Sequence, residues 1–308
     1  MYFGKQKLWE DENSADYAIY LQDNSEEIED KRRHPAMIVC GGGGYMGISD
    51  REKEPVALFF LNEGFQVFVL EYGTSKTGRS IYPEPVYDLA KMVATVRKYA
   101  GEWNIDADKV AVIGFSAGAH LCASLATQWQ EHFLSERLQL SSEQMRPDAV
   151  ILAYPMTDCV LQREWALRKT DLGENSPSLD GVSVPMAEYM EESNQAMFGK
   201  HYTEADLKQA SPVNHVTERT PPVFLWHTAS DEMVWAVNSL VFTRKLLEAG
   251  VDCELHLFEK GPHGMSLANK QSGGSSPLVD PEVSIWKELA VRFLNRHFQK
   301  QDRTGKMR

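Results

Sequence analysis

Six short apolar runs set the rhythm of this chain: 36–39 (AMIV), 66–70 (QVFVL), 110–113 (VAVI), 149–152 (AVIL), 223–226 (VFLW) and 254–258 (ELHLF). Each has the length of a strand and is rich in β-branched or aromatic residues. Between them the apolar positions recur at helical spacing, over 55–64, 88–99, 117–128, 235–249 with Gly250 as the stop, and 281–298. Strands that are apolar on both faces and alternate with helices predict a mostly parallel α/β sheet flanked by helices. Residues 15–22 read as an edge strand, and NSEEIEDKRR after it as a solvated turn or loop.

One interval breaks the alternation. Between Tyr154 and Pro221 there is no core-strand pattern, only charged and aromatic patches such as REWALRK and VPMAEYMEESNQAMFGK. A structureless loop that long is out of place in a compact domain, so 159–210 reads as a small helical insertion, a cap or lid, with 173–185 as its flexible part. The whole chain, 1–308, then forms a single domain with that insertion.

Composition narrows the partners. The 308 residues are 43% hydrophobic and carry a net charge of −12, which argues against a nucleic-acid partner because phosphate backbones are bound by clustered Lys and Arg. No apolar run approaches the roughly 20 residues needed to span a bilayer, and the first residues lack the apolar core of a signal peptide. No membrane association and a cytoplasmic location are therefore expected. Cys40, Cys122, Cys159 and Cys253 show no CxxC spacing, so neither a metal site nor a disulfide framework is expected.

The chemistry concentrates in VAVIGFSAGAH, 110–120, where Gly114 and Gly118 flank Ser116 between a strand and a helix. A serine on a sharp strand-to-helix turn needs small neighbours, and the turn exposes its hydroxyl. The Ala117 N–H at the helix start is placed to receive a developing oxyanion. A serine nucleophile needs a base and the base an orienting acid, in the chain order Ser, Asp or Glu, His. HTASDEMV after one strand offers Asp231, and GPHGMS after the next offers His263. Glu232 and Asp158 are the rival acids; His120, His215, His227 and His256 read as packing or hydrogen-bonding residues. CGGGGYMG, 40–47, ends another strand. It lacks the Lys-Ser/Thr of a phosphate loop and the spaced glycines of a dinucleotide site, which leaves backbone N–H donors for some other anion.

GFSAGAHL, the glycine run with the 30 or so residues after it, and the block from PPVFLW to GPHGMSLA together resemble the α/β-hydrolase superfamily. Within it they are most similar to the acetylesterase and acetyl-xylan-esterase-like carbohydrate esterases related to the hormone-sensitive-lipase group. The likeness runs from about residue 35 to about 298 and is weakest across 159–210. It implies an α/β-hydrolase fold and a Ser116–Asp231–His263 esterase that uses no cofactor and no metal. It also places Gly43 and Gly44 at the oxyanion-donor positions, with Gly41 where that group has histidine or proline. The implied substrate is a small acetylated carbohydrate such as a xylo-oligosaccharide. Tyr45, Tyr72 and Trp235 lie near the catalytic loops as candidate sugar-stacking residues, with packing as the alternative role. A serine peptidase of prolyl-oligopeptidase type and a catalytically silent homologue stand as alternatives, and homo-oligomerisation is left open.

Overall fold

The computed structural model describes residues 1–10, 15–176, 183–274 and 277–305, with side chains to 299. Eight strands, β1 (Tyr2–Lys7), β2 (Asp16–Leu21), β3 (His34–Cys40), β4 (Gln66–Glu71), β5 (Ile105–Phe115), β6 (Ala149–Ala153), β7 (Val223–Thr228) and β8 (Cys253–Phe258), form one sheet in the order β1-β2-β4-β3-β5-β6-β7-β8. The pairs β1/β2 and β2/β4 are antiparallel, and every pair from β4/β3 to β7/β8 is parallel.

The described residues form twelve helices: α1 (Glu54–Asn62), α2 (Glu84–Lys98), α3 (Ala117–Gln128), α4 (His132–Leu138), α5 (Ser142–Met145), α6 (Cys159–Asp171), α7 (Met186–Phe198), α8 (Glu204–Gln209), α9 (Val237–Glu248), α10 (Lys270–Gly273), α11 (Pro281–Ser284) and α12 (Trp286–Gly305). Among the described residues no helix is long and apolar enough to cross a membrane.

The two-residue period of the strands divides the core. Ala36, Ile38, Val110, Val112 and Leu225 point to one face, where Leu89 and Val93 of α2, Leu121 and Leu125 of α3, and Phe242 of α9 cover them. Met37, Val39, Ala111, Ile113 and Trp226 point to the other, under Val56 and Phe60 of α1 and Ala290 and Leu294 of α12. The central strands are thus apolar at every position because both of their faces are roofed.

Several boundaries differ from the sequence reading. Helix α2 begins at Glu84 rather than 88, because Pro85 in its first turn needs no partner for an N–H it lacks. The final helical stretch is two helices, α11 and α12, with Ile285 between them. Strand β1 was not expected: its side chains are almost all exposed, so it carries no alternation to read.

Helices α6, α7 and α8 occupy the interval between β6 and β7. They share a small core of Met156, Cys159, Trp165, Ala166, Met186, Met190 and Leu207 with Val234 of the loop after β7. An isolated bridge between Asn175 and Pro185 closes the base of the stretch read as flexible; residues 177–182 lie outside the described residues.

Candidate active site

Every group singled out for chemistry stands where a parallel strand ends and its loop begins, the edge at which open α/β sheets build sites. Ser116 follows β5 and is the residue before α3, with φ +52° and ψ −116°, a conformation that non-glycine residues rarely hold. The flanking glycines are required by space. A Cβ on Gly114 would lie 2.1 Å from the Gly118 carbonyl oxygen, and one on Gly118 would lie 2.1 Å from the Cys40 carbonyl oxygen. The turn is pinned by Ser116 N–H to Ala153 O at 3.0 Å and His120 N–H to Ser116 O at 2.9 Å.

His263 and Asp231 arrive from the loops after β8 and β7. The Ser116 hydroxyl is 2.9 Å from His263 Nε2, and His263 Nδ1 is 2.7 Å from Asp231 Oδ2. With its Nδ1–H donated to the Asp231 carboxylate, the imidazole presents a Nε2 lone pair to the serine. Burial pushes the His263 pKa down, but the charge and hydrogen bond of Asp231, followed by Glu52 and Glu232, outweigh it and raise it above 6.5. Asp231 is itself 5% exposed. Burial pushes its pKa up, yet the charge of His263 and the hydrogen bonds from His227 and His263 hold it well below the usual carboxylate range. Its other oxygen, Oδ1, accepts the N–H groups of Met233 at 2.8 Å and Val234 at 2.9 Å, which fix the carboxylate's orientation.

The rival groups are occupied elsewhere. Asp158 caps α6, accepting the N–H groups of Val160 and Leu161. Glu232 makes no contact with the imidazole nitrogens, which Ser116 and Asp231 take. His227 Nε2 faces two acceptors, Asp231 Oδ2 at 3.2 Å and Val234 O at 3.1 Å, so it carries the proton and acts as a second donor to Asp231. His120 spans Tyr45 Oη and Ala210 O, both at 2.7 Å, and burial lowers its pKa to about 4. His215 bonds Gln209 O, and His256 bonds Glu254.

The glycine run passes directly against the nucleophile. A Cβ on Gly42 would lie 2.7 Å from Phe115 O and 2.9 Å from Ser116 Cβ, and one on Gly41 would lie 2.8 Å from Ile48 Cγ2. Gly41 is therefore small because Ile48 fills the space a larger residue would need. Gly43 and Gly44 have φ of +138° and +59°. The Gly42 N–H is taken by Glu52 Oε2 at 2.7 Å, which removes it from the possible oxyanion donors. The N–H groups of Gly43, Gly44 and Ala117 have no partner among the described residues. Helix α7 leans on this loop: Ser193 Oγ donates to Gly44 O at 3.1 Å.

The candidate sugar-stacking residues need correction. Tyr45 and Tyr72 are each 1% exposed. Their hydroxyls bond His120 and Gly41 O, so both rings belong to the packing beneath the glycine loop rather than to a surface open to a sugar. Trp235 is half-buried, stacked on Trp165 at an interplanar angle of 8° with Arg168 5.1 Å from its centroid. Glu52 and Tyr154 went unnoticed in the sequence. Glu52 sits in DREKE, where nothing marks which of several charged residues turns inward; Tyr154 looks like any strand-end aromatic. Among the described residues no cluster of three or more His, Cys, Asp or Glu could hold a metal ion.

An eight-stranded, mostly parallel sheet with a serine elbow at the end of β5 and a histidine and an aspartate on the last two strand loops defines an α/β hydrolase. The BD-FAE family model matches residues 19–246, and the chain belongs to that family of hormone-sensitive-lipase-like esterases. It is 30% identical over 268 residues to endo-1,4-beta-xylanase B of Butyrivibrio fibrisolvens, covering 86% of this chain and 37% of that one. It is 27% identical over 233 residues to the acetylxylan esterase of Xylanibacter ruminicola, covering 74% of this chain and 40% of that one. The chain thus spans well under half the length of these relatives. Among solved structures, a carboxylesterase from Lactobacillus plantarum WCFS1 matches with a TM-score of 0.79 and 26% identity over 96% of this chain and 98% of that one.

Proposed function

We propose that the chain hydrolyses small carboxylic esters through an acyl-enzyme, and that its substrates are acetylated carbohydrates such as xylo-oligosaccharides. The observation that carries the mechanism is the relay from Ser116 Oγ through His263 to Asp231, at 2.9 and 2.7 Å. His263 takes the hydroxyl proton as Ser116 attacks the ester carbonyl, while Asp231 holds the imidazole and stabilises its charged form. The oxyanion is received by the N–H groups of Ala117 and of Gly43 or Gly44, which have no partner among the described residues. His263 returns the proton to the leaving alcohol, and water, activated by the same imidazole, then cleaves the acyl-enzyme. The acetyl and sugar preferences draw on what the two xylan-related relatives are named for.

The test is a series of aryl esters of increasing acyl length run beside acetylated xylo-oligosaccharides, with Ser116→Ala as control. A steep fall beyond acetyl, release of acetate from the oligosaccharides and an inactive but folded Ser116→Ala protein are the expected results. Full activity in that variant would sink the serine mechanism, and a preference for long acyl chains would sink the carbohydrate assignment.

A further inference from the structure

Glu52 ends a short 3-10 turn, Asp50–Glu52, and is 2% exposed, although Asp50, Arg51 and Glu54 around it face solvent. Among the described residues no cation forms an ion pair with it. A carboxyl buried without a cation is a costly choice for stability alone.

Its two oxygens face two different parts of the site. Oε2 accepts the Gly42 N–H at 2.7 Å, in the loop that holds the candidate oxyanion donors. Oε1 accepts the Tyr154 hydroxyl at 2.6 Å. The Tyr154 oxygen in turn accepts the Ser266 N–H at 3.0 Å, in the loop that holds His263. The Tyr154 ring meets the His263 imidazole edge-on, with centroids 4.9 Å apart at 68°. Ser266 Oγ closes the circuit by donating to Arg51 O at 2.7 Å, next to Glu52 in the chain. Tyr154 and Ser266 have φ of +39° and +52°, strain that persists only where the surroundings hold it in place.

Resting on the serine-esterase reading above, we propose that Glu52 is a positioning residue: one buried carboxyl that ties the donor loop, through Gly42, to the base loop, through Tyr154 and Ser266. The N–H donors and the imidazole are thereby held in register with each other as well as with Ser116. Glu52 touches neither substrate nor Ser116 Oγ in this role; it acts on the geometry of the groups that do. Electrostatics at the imidazole points the same way, since Asp231, Glu232 and Glu52 are the acidic groups that raise His263 against the opposing effect of burial.

The test is Glu52→Gln, which keeps the volume but turns one acceptor oxygen into an NH₂ group, so the Gly42 N–H and the Tyr154 hydroxyl cannot both keep their acceptor. With a small acetyl ester, kcat is expected to fall about 10- to 100-fold with KM within about threefold, since the change degrades transition-state donors rather than substrate contacts. The acidic limb of the kcat/KM profile is expected to move to lower pH as one negative group near His263 is lost. Tyr154→Phe keeps the ring on His263 and cuts the link to Ser266; it is expected to lower kcat with the same sparing of KM, and it serves if Glu52→Gln does not fold. A folded Glu52→Gln protein with wild-type kcat and an unmoved limb overturns the proposal. So does a variant whose melting temperature alone drops, or a Tyr154→Phe protein with wild-type kcat. Fluorophosphonate labelling of the wild type separates the two readings: a wild type that neither labels nor hydrolyses overturns the serine mechanism and this proposal with it, whereas an active wild type matched by Glu52→Gln overturns the positioning role alone.

Discussion

At the scale of single residues, the site is governed by clearance. Gly118 abuts the Cys40 carbonyl and Gly42 abuts Ser116 Cβ, so β3, β5 and the start of α3 meet with no room for a methyl group. That contact brings unpartnered N–H groups beside a strained serine. The base is tuned at the same scale. Asp231, with Glu52 and Glu232, outweighs burial and raises His263 above 6.5, and the base must be neutral to take the serine proton. On the proposed serine mechanism, activity is therefore present above the His263 pKa and lost as pH falls through it. The expected kcat/KM profile has its acidic limb above pH 6.5; a limb below that value would show that burial dominates instead.

At the scale of elements, two aspartates divide the work. Asp158 follows β6 and caps α6, while Asp231 follows β7 and holds the base. Asp158→Ala is expected to cost about 1 kcal/mol in denaturant unfolding with kcat within about twofold. Asp231→Asn is expected to leave the fold intact and to reduce kcat by about 10⁴-fold, because the amide stabilises the wrong tautomer of His263. Exchanged phenotypes would reassign the acid. The sequence placed Asp231 ahead of Asp158, although both are first acids after a core strand; the structure adds that the Asp158 carboxylate is committed to the N–H groups of Val160 and Leu161. Elements with a repeating buried face were readable. Strand β1 was not, having no buried side, and neither was the inward turn of Glu52, because DREKE has no periodicity that selects one residue from its neighbours.

At the scale of the whole molecule, the parallel sheet was legible, and so was the chain order of Ser116, Asp231 and His263, which the structure brings within hydrogen-bonding distance. Four of the six runs, 36–39, 110–113, 149–152 and 223–226, are apolar at every position and can be buried only between two helical layers, and the site loops follow β3, β5, β7 and β8. What the sequence left out is how tightly those layers close, and the cysteines offer a measure of it. Cys40, Cys122 and Cys159 are buried as free thiols, Cys253 is half-buried, and burial pushes the Cys159 thiol up to about 12. A thiol reagent is expected to modify about one cysteine in the native protein, Cys253, and all four after denaturation, with no change in melting temperature on adding reductant. Two or more fast-reacting native thiols would mean that the layers open more readily than this packing allows.

The hydrogen bond from Ser193 of α7 to the Gly44 carbonyl bears on how such enzymes can be re-engineered. The helices over the site would be the natural cassette to exchange for a new acyl or sugar preference. Here that cassette also braces the loop of the proposed oxyanion donors, so a chimaera inherits a new scaffold for turnover together with its new pocket, and selection on either property will move both.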